Sequence, residues 1–248
     1  MALCKRLIAR LDIKGTKLIK GIRYEGLRVV GDTCEAAFYY FDKGIDEILY
    51  LDSVASFYGQ NSLNEILKKT SESIFIPITA GGGVRSVRDA AKLLAAGADK
   101  IAINSSCIKN PNLISELAKE FGSQCVVVSI QARKNYDNIG WTCMTEAGRE
   151  RSNISVIEWI KTVQNLGAGE ILLTSVDNDG TFKGPDKKLI QEASEVSKVP
   201  LIVGGGVTTK NDVEFCLEKN IITGVSLAAA LHYKKIEVMD LKHHLLKS

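Results

Sequence analysis

The chain has 248 residues, of which 45% are hydrophobic and 25% are charged, and its formal net charge is +3. This composition is ordinary for a globular protein with one core, and the small, dispersed positive charge argues against nucleic acid or an anionic membrane as a partner. No apolar stretch approaches the length of a transmembrane helix and no secretory leader is visible, so a cytoplasmic location is expected.

Cysteine and histidine are not spaced like metal ligands or members of a catalytic triad. The six cysteines lack a CxxC spacing, and the three histidines all lie beyond residue 231. The thiols are therefore expected to be reduced and packed as small hydrophobic groups. No metal and no cofactor are expected, so carboxylates, amides, lysines and backbone groups must supply any chemistry.

Short β-branched stretches alternate with amphipathic ones along the chain. The predicted strands are Arg6–Asp12, Glu47–Asp52, Phe75–Ala80, Lys100–Asn104, Cys125–Gln131, Glu170–Ser175, Leu201–Gly204 and Gly224–Ala228. The predicted helices are Cys34–Lys43, Leu63–Ser71, Ser86–Ala96, Asn112–Phe121, Val156–Leu166, Asp186–Val196 and Lys210–Glu218. Eight nearly continuous apolar strands, each followed by a helix, predict an α/β fold, a closed (β/α)8 TIM barrel. No linker is visible, so residues 1–248 are expected to form a single domain.

The two halves of the chain resemble each other. IPITAGGGVRS at Ile76–Ser86 matches VPLIVGGGVTT at Val199–Thr209, and Pro77 and Pro200 in these stretches stand 123 residues apart. GIDEILYLD and GAGEILLTS share that offset. A repeat of this length predicts two duplicated half-barrels, about 1–123 and 124–248, with one related site in each.

Glycine runs follow the predicted third and seventh strands, and the loops after the strands form the active site of such barrels. One isolated run would be explained by a tight turn, but two at the repeat offset favour backbone N–H groups that approach a phosphate. The first phosphate site is predicted at Gly83, Asn104 and Ser105. The second phosphate site is predicted at Asp179, Gly180, Gly205, Gly206 and Ala229.

Asp12 and Gln131 end the first and fifth strands at equivalent positions. A carboxylate can take and return a proton near neutral pH, whereas an uncharged amide cannot, so one of two candidate acid/base groups is missing. The role of Asp179 is open between catalysis and capping of a turn, because its DNDGT setting is typical of a turn. Asp52 is open between a site carboxylate and a structural acceptor.

Four charged residues stand at the opposite ends of the strands. Arg6, Glu47, Lys100 and Glu170 begin the first, second, fourth and sixth strands, so two cations and two anions can close into a neutral ring. This set is called the basal ring below. Residue chemistry alone favours a salt-bridge layer that stabilises this face, although a buried ionic ring stabilises a core inefficiently.

Several long stretches together resemble the cyclase subunit of imidazole glycerol phosphate synthase over nearly the whole chain. They are LDIKGTKLIKG, DEILYLD, AGGGVRSVRDA, GADKIAINSS, NPNLISELAKEFGSQCVVV, GAGEILLTSVDNDGT and LKHHLL. The resemblance implies a (β/α)8 barrel that receives ammonia from a glutaminase subunit and uses it to split and cyclise a bis-phosphorylated aminoimidazole precursor. It implies acid/base roles at Asp12 and position 131, a mobile-loop lysine at Lys20, and an ammonia gate at the basal ring.

Other positions depart from that family. They are Gln131 in place of an acid, Gly15-Thr16 in place of an acidic loop start, Gly204-Gly205 in place of a serine–glycine pair, Ala228–Ala230 in place of a serine turn, and the unlike loop Lys134–Arg151. The basal ring is retained while the opposite face is altered.

This asymmetry favours the hypothesis of a divergent paralogue that docks a glutaminase and conducts ammonia. A third enzyme would then amidate a nucleotide-linked sugar in surface-polysaccharide biosynthesis. One alternative is a working cyclase of histidine biosynthesis in which another group covers for Gln131. A phosphosugar isomerase of a related duplicated-barrel group and a non-conducting structural partner are the remaining alternatives.

Overall fold

The computed structural model describes residues 5–53 and 63–245. Its strands are β1 (Arg6–Lys14), β2 (Lys17–Ile22), β3 (Glu25–Asp32), β4 (Glu47–Asp52), β5 (Ile78–Gly81), β6 (Lys100–Ile103), β7 (Val126–Lys134), β8 (Trp141–Thr145), β9 (Glu150–Ser155), β10 (Glu170–Ser175), β11 (Leu201–Gly204) and β12 (Ile222–Leu227). Eight of them, β1, β4, β5, β6, β7, β10, β11 and β12, pair in parallel. Because β12 pairs with β1, the sheet closes, and the predicted (β/α)8 TIM barrel is confirmed.

Helices follow the barrel strands and cover them. They are α1 (Thr33–Asp42), α2 (Leu63–Ser71), α3 (Val87–Ala95), α4 (Ser105–Lys109), α5 (Asn112–Phe121), α6 (Val156–Asn165), α7 (Lys187–Val196), α8 (Lys210–Leu217), α9 (Ala229–His232) and α10 (Val238–Leu245). Side-chain caps fix where several begin: Ser86 accepts from the N–H of Asp89, and Thr209 forms a capping box with Asp212. Such caps satisfy N–H groups that the first helical turn leaves unpaired.

Two apolar layers hold the barrel together. The outer layer lies between strands and helices and includes Leu7, Leu11 and Ile171. The inner layer fills the barrel with the side chains of Ile8, Leu49, Ala102, Val127, Leu172 and Ile202. Successive strand residues point to opposite faces, so a strand buried on both faces is apolar along its length, which explains the runs seen in the sequence.

Some predicted element bounds were wrong. The third barrel strand begins at Ile78 rather than Phe75, which is 82% exposed and precedes Pro77, a residue without an N–H for strand pairing. The eighth strand begins at Ile222 instead of Gly224. Cys4 lies outside the described residues, and the other five cysteines are free thiols in the structure.

Two antiparallel hairpins were not predicted. The hairpin β2–β3 continues β1, and the hairpin β8–β9 continues β7, so Lys134–Arg151 is not a simple loop. The strand β3 is largely exposed and lacks a clean apolar alternation, which is the signal that sequence patterns rely on. Each hairpin follows the first strand of a predicted half-barrel, as expected if the halves are related.

Candidate active site

The carboxyl ends of the barrel strands surround a cavity of about 360 Å³. This volume lies within the range of small-molecule pockets in proteins. Residues from both halves of the chain meet there, and those predicted from the sequence are Asp12, Asp52, Gly83, Asn104, Ser105 and Gln131. The structure therefore brings both acid/base positions and the first phosphate site to one cavity.

A buried ionic cluster occupies the centre of this face. It consists of Arg10, Lys20, Asp12 and Asp179 and is called the Arg10 cluster below. The Asp12 carboxylate accepts from Arg10 at 2.9 and 2.8 Å and from Lys20 at 3.3 Å. The Asp179 carboxylate accepts from Lys20 at 2.5 Å and from Arg10 at 3.4 Å. The Asp179 carboxylate thus pairs with both cations, and the two cations of the Arg10 cluster balance its two anions.

The cluster fixes the protonation of Asp12. Burial by itself would raise the pKa of this carboxyl, but the charges of Arg10 and Lys20 outweigh that effect and lower it. Burial by itself would lower the pKa of Arg10, but the carboxylates of Asp12 and Asp179 raise it well above its ordinary value. Asp12 therefore stays ionised with both oxygens engaged, which weakens it as a proton acceptor.

Arg10 was missed by the sequence reasoning. It lies on β1 between Ile8 and Asp12 and is 1% exposed. The signal was present, because alternation along β1 places residues 6, 8, 10 and 12 on the same inward face. A charged residue at position 10 of the predicted strand Arg6–Asp12 therefore had to point into the barrel beside Asp12.

Lys20 lies on β2 and not on a loop, which corrects the placement that the resemblance implied. The hairpin β2–β3 folds over the face, where the Arg23 N–H donates to the Asp179 carbonyl at 2.8 Å. The ring of Tyr24, from the turn of the hairpin, lies 5.0 Å from the Arg10 guanidinium and 5.6 Å from the Lys20 ammonium. Lys20 is 2% exposed, so its charge is directed at the two carboxylates.

Gln131 ends the inward-facing side of β7 and lines the cavity at 7% exposure. Its amide oxygen finds no hydrogen-bond donor among the described residues. A buried acceptor without a donor carries a free-energy cost, which a ligand with an O–H or N–H group can remove. The position therefore suits hydrogen bonding to a ligand, while the amide cannot exchange a proton.

The predicted first phosphate site keeps one hydroxyl donor available. The Ser105 hydroxyl accepts from the Glu146 N–H at 3.0 Å, which leaves its own O–H to donate. Lys109 pairs with the Glu146 carboxylate at 3.0 Å at the edge of the cavity. The side-chain oxygen of Asn104 has no donor within the part of the chain that the structure describes. Glu146 was not predicted, because it lies on the turn of the unpredicted hairpin β8–β9.

The second phosphate site is nearly closed. Its cavity measures about 10 Å³ and is lined by Arg10 together with the predicted residues Asp179, Gly180, Gly205, Gly206 and Ala229. Such a space holds about one water molecule. The glycine run here has a structural explanation: Gly206 has a φ of +89°, and a Cβ there would lie 2.2 Å from the Gly184 carbonyl oxygen.

The basal ring closes the opposite end of the barrel as predicted. Arg6 pairs with Glu47 at 2.6 Å and also with Glu170, while Lys100 lies 3.2 Å from Glu47 and 3.0 Å from Glu170. Glu47 is 0% exposed. Two further members were missed, since the hydroxyls of Thr79 and Thr223 donate to the ring carboxylates. The inner apolar layer separates this ring from the Arg10 cluster.

The fold and these two ends define a (β/α)8 barrel protein with a ligand pocket at the carboxyl ends of its strands. A sequence profile described as "Histidine biosynthesis protein" matches residues 6–237, so the chain belongs to that family. Within the described ranges no helix could span a bilayer. The same ranges contain no group of three or more His, Cys, Asp or Glu residues suited to a metal ion.

Similar proteins carry the name imidazole glycerol phosphate synthase subunit HisF. The relative from Legionella pneumophila is 54% identical over 202 residues, which cover 82% of this chain and 95% of that protein. The relative from Wolinella succinogenes is 44% identical over 98% of this chain and 95% of its own length. The one from Bacillus cereus is 43% identical over 98% and 96%, respectively. These names support the resemblance to the cyclase subunit. They give no support to the sugar-amidating paralogue, which stays a hypothesis.

Proposed function

We propose that this chain is the ammonia-accepting barrel subunit of a glutamine-dependent synthase of the imidazole glycerol phosphate synthase type. A glutaminase subunit would dock on the strand-start face, and ammonia would cross the barrel to a phosphorylated acceptor in the 360 Å³ cavity. The observation that carries the proposal is the basal ring: four charged residues enclose the axis of the barrel at the end opposite the cavity.

The order of layers along the barrel suits neutral ammonia. A molecule that passes the basal ring next meets the apolar side chains of the inner layer, among them Ile8, Leu49 and Leu172. An ammonium ion would lose its hydration there without a counter-charge, whereas neutral NH₃ loses far less. Passage requires that one ion pair of the ring opens, and Lys100 is the member with a flexible side chain and a simple point charge.

The names of the relatives favour cyclisation of a bis-phosphorylated precursor as the reaction of this barrel. That reaction needs a second acid/base group in addition to Asp12. Besides Asp12, the buried carboxylates that line this cavity among the described residues are Asp52 and Glu146. We assign Glu146 to cover for Gln131, because it lies two residues after Met144, which pairs with Gln131 between β7 and β8. In this first candidate function Asp12 orients the precursor, Lys20 holds the Asp12 carboxylate in place, and Glu146 exchanges the proton.

A second candidate function is favoured by the residues at the cavity itself. Gln131 cannot exchange a proton, and Asp12 is held ionised by two cations. In this candidate the barrel delivers ammonia to a different acceptor. The hypothesis drawn from the sequence is that this acceptor is a nucleotide-linked sugar bound by a third enzyme. The glutaminase partner and the basal ring are common to both candidates.

Coupled assays test the proposal. The chain is purified with a glutaminase subunit of a HisF-containing synthase, and glutamine hydrolysis is measured with and without the barrel. We expect the barrel to bind the glutaminase and to raise its hydrolysis rate at least about tenfold. Absence of both binding and stimulation with glutaminases from several synthases would remove the proposal.

Turnover of the bis-phosphorylated precursor with ammonium separates the two candidates. Ordinary turnover that is lost in Glu146→Gln supports the cyclase. Loss of an acid/base group costs about 10²–10⁴-fold, so turnover reduced to that extent beside intact glutaminase stimulation supports a different acceptor. The exposed variant Glu158→Gln is the matched control, because its carboxylate lies on α6 and pairs only with Lys161 among the described residues.

A further inference from the structure

The Arg10 side chain lies beside the predicted second phosphate site, at the carboxyl ends of the barrel strands. Its guanidinium bonds to Asp12 at 2.8 and 2.9 Å and reaches Asp179 at 3.4 Å. The ring of Tyr24 covers the guanidinium from the hairpin side at 5.0 Å. The group is held on three sides and fully buried, so its position is fixed by the fold.

The two halves of the site consequently differ in the space that they offer. The cavity beside the first phosphate site measures about 360 Å³, whereas the one at the second phosphate site measures about 10 Å³ and is lined by Arg10. A phosphate group is larger than the single water that the smaller space admits. The predicted second phosphate site therefore has no room for a phosphate. A wider space of about 910 Å³ beside it is lined by the hairpin β2–β3 and residues 180–183 rather than by Gly205, Gly206 or Ala229.

We propose that Arg10 fills the second phosphate site and that this barrel binds a small molecule with a single phosphate, held in the first half alone. The inference rests on the proposed function and deepens it by naming the chemical class of the ligand in the 360 Å³ cavity, and it agrees with the second candidate function and not with the first. It also separates this chain from a barrel that grips both phosphates of a bis-phosphorylated precursor.

The charge balance of the Arg10 cluster also argues against a second bound phosphate. The Arg10 cluster is neutral as it stands, with two cations and two carboxylates inside a protein interior. A second phosphate could enter only by displacing Arg10 from Asp12 and Asp179. That displacement would leave buried carboxylates facing an anion, and a buried charge that loses its partner is strongly destabilising.

The polar groups that line the 360 Å³ cavity indicate which groups the ligand carries besides its phosphate. The Ser105 hydroxyl offers a donor to a phosphate, and Lys109 brings a positive charge that it shares with Glu146. Asn104 and Gln131 present oxygens that have no donor among the described residues. A ligand that fits must carry O–H or N–H groups at the end remote from its phosphate. A singly phosphorylated polyol or sugar has this distribution of groups.

Binding measurements on the purified barrel test the proposal. Inorganic phosphate, fructose 6-phosphate and fructose 1,6-bisphosphate are titrated by calorimetry. We expect one phosphate site per chain, with the bisphosphate within about twofold of the monophosphate because its second phosphate gains no contacts. Two phosphates per chain, bisphosphate binding at least about tenfold tighter, or no phosphate binding at all would each overturn the proposal.

A matched pair of variants assigns the site. Ser105 and Ala229 are the first residues of α4 and α9, which occupy equivalent places in the two halves. Ser105→Asp places a carboxylate in the first half and is expected to weaken fructose 6-phosphate binding at least about tenfold. Ala229→Ser adds only a hydroxyl to the second half, where the space admits about one water molecule, and is expected to change fructose 6-phosphate binding less than about twofold. Equal effects of the two changes would contradict the assignment.

The phosphate titrations can fail or succeed independently of the glutaminase assays that test the proposed function. The titrations use no glutaminase, so single-phosphate binding without glutaminase stimulation would leave this inference standing and remove the proposed function. Binding of two phosphates per chain together with glutaminase stimulation would overturn this inference and leave the proposed function standing.

Discussion

At the residue scale, Asp12 is predicted to be an acid/base group, but the structure also makes it a buried ion-pair partner. In sequence it is one of two candidate acid/base groups, but in the fold both of its oxygens accept bonds from Arg10 and Lys20. A residue that only exchanges protons can be removed without loss of stability, whereas a buried ion-pair partner cannot. Stability measurements therefore distinguish the two roles.

We expect Asp12→Asn to lower the free energy of unfolding by about 3 kcal/mol, because Arg10 and Lys20 are left with one buried carboxylate. The measurement is urea denaturation at neutral pH. The control is Glu158→Gln, whose exposed pair with Lys161 is worth less than about 0.5 kcal/mol. Unchanged or increased stability of Asp12→Asn would show that the cluster does not hold this carboxylate.

His232 gives the protein a pH-dependent stability. Burial lowers the pKa of His232 from 6.5 to about 4. In this buried position the Tyr40 hydroxyl lies 2.8 Å from Nδ1 of His232, and the Arg10 carbonyl oxygen lies 3.1 Å from Nε2. The unfolded chain therefore takes up this proton first as the pH falls. The stabilisation is complete above pH 6.5 and is lost between pH 6.5 and about 4, to an extent of at most about 3 kcal/mol.

The check is a series of melting temperatures between pH 7 and pH 4.5 for the wild type and His232→Gln. The variant is expected to be less stable at pH 7, because the hydrogen bond to Tyr40 is altered, but to lose less stability as the pH falls. Parallel curves for the two proteins would mean that His232 titrates normally in the folded state.

At the scale of elements, the hairpin β2–β3 decides what the strand-end face can admit. It contributes Lys20 to the Arg10 cluster and Tyr24 as a cover over Arg10. It is fastened to the turn after β10 by close backbone contact, since a Cβ on Gly180 would lie 2.4 Å from the Gly21 carbonyl oxygen. The hairpin thus closes the second half of the site.

Gly180→Ala should push the hairpin away from β10, because a methyl group cannot share that space. We expect faster amide hydrogen exchange in β2 and β3, by at least about tenfold, and little change in β11 and β12. Gly15→Ala is the matched control: its φ of +58° is equally unfavourable for alanine, but nothing lies within 4 Å of its Cβ. If both variants exchange alike, backbone strain and not the close contact is responsible.

At the scale of the whole molecule, the barrel separates two charged ends by an apolar layer. The basal ring at the strand starts is closed by ion pairs, and the Arg10 cluster lies on the opposite side of the inner layer. A structural plug and an ammonia gate predict different consequences when one ring member is removed. Lys100 is the suitable member, since Arg6 still pairs with both glutamates in its absence.

Lys100→Met is expected to cost up to about 3 kcal/mol, which a barrel of ordinary stability tolerates. It should release ammonia to the solvent instead of delivering it to the acceptor. Melting temperature and the ratio of free ammonia to product, measured in the complex with glutaminase, test this together. A destabilised variant with normal coupling would leave the ring a structural plug.

The sequence alone predicted the closed barrel and the four charged residues of the basal ring, which the structure shows, and it predicted a first phosphate site, which stays a prediction. Each of these depends on a local or periodic signal: apolar strands, an internal repeat, or charged residues at equivalent depths such as Glu47 and Glu170. The hairpin strand β3 escaped prediction because its largely exposed surface has no such period.

Only the tertiary structure decided what the site can hold. Arg10 and Lys20 lie on the paired strands β1 and β2, whereas Asp179 lies far along the chain after β10. Their charges are paired and buried only when the barrel closes. The second glycine run had the sequence of a phosphate loop, yet its space is taken by neighbouring backbone and by Arg10. Sequence specifies which groups are present, but the volume left between them is a property of packing, and packing depends on contacts between residues far apart in the chain.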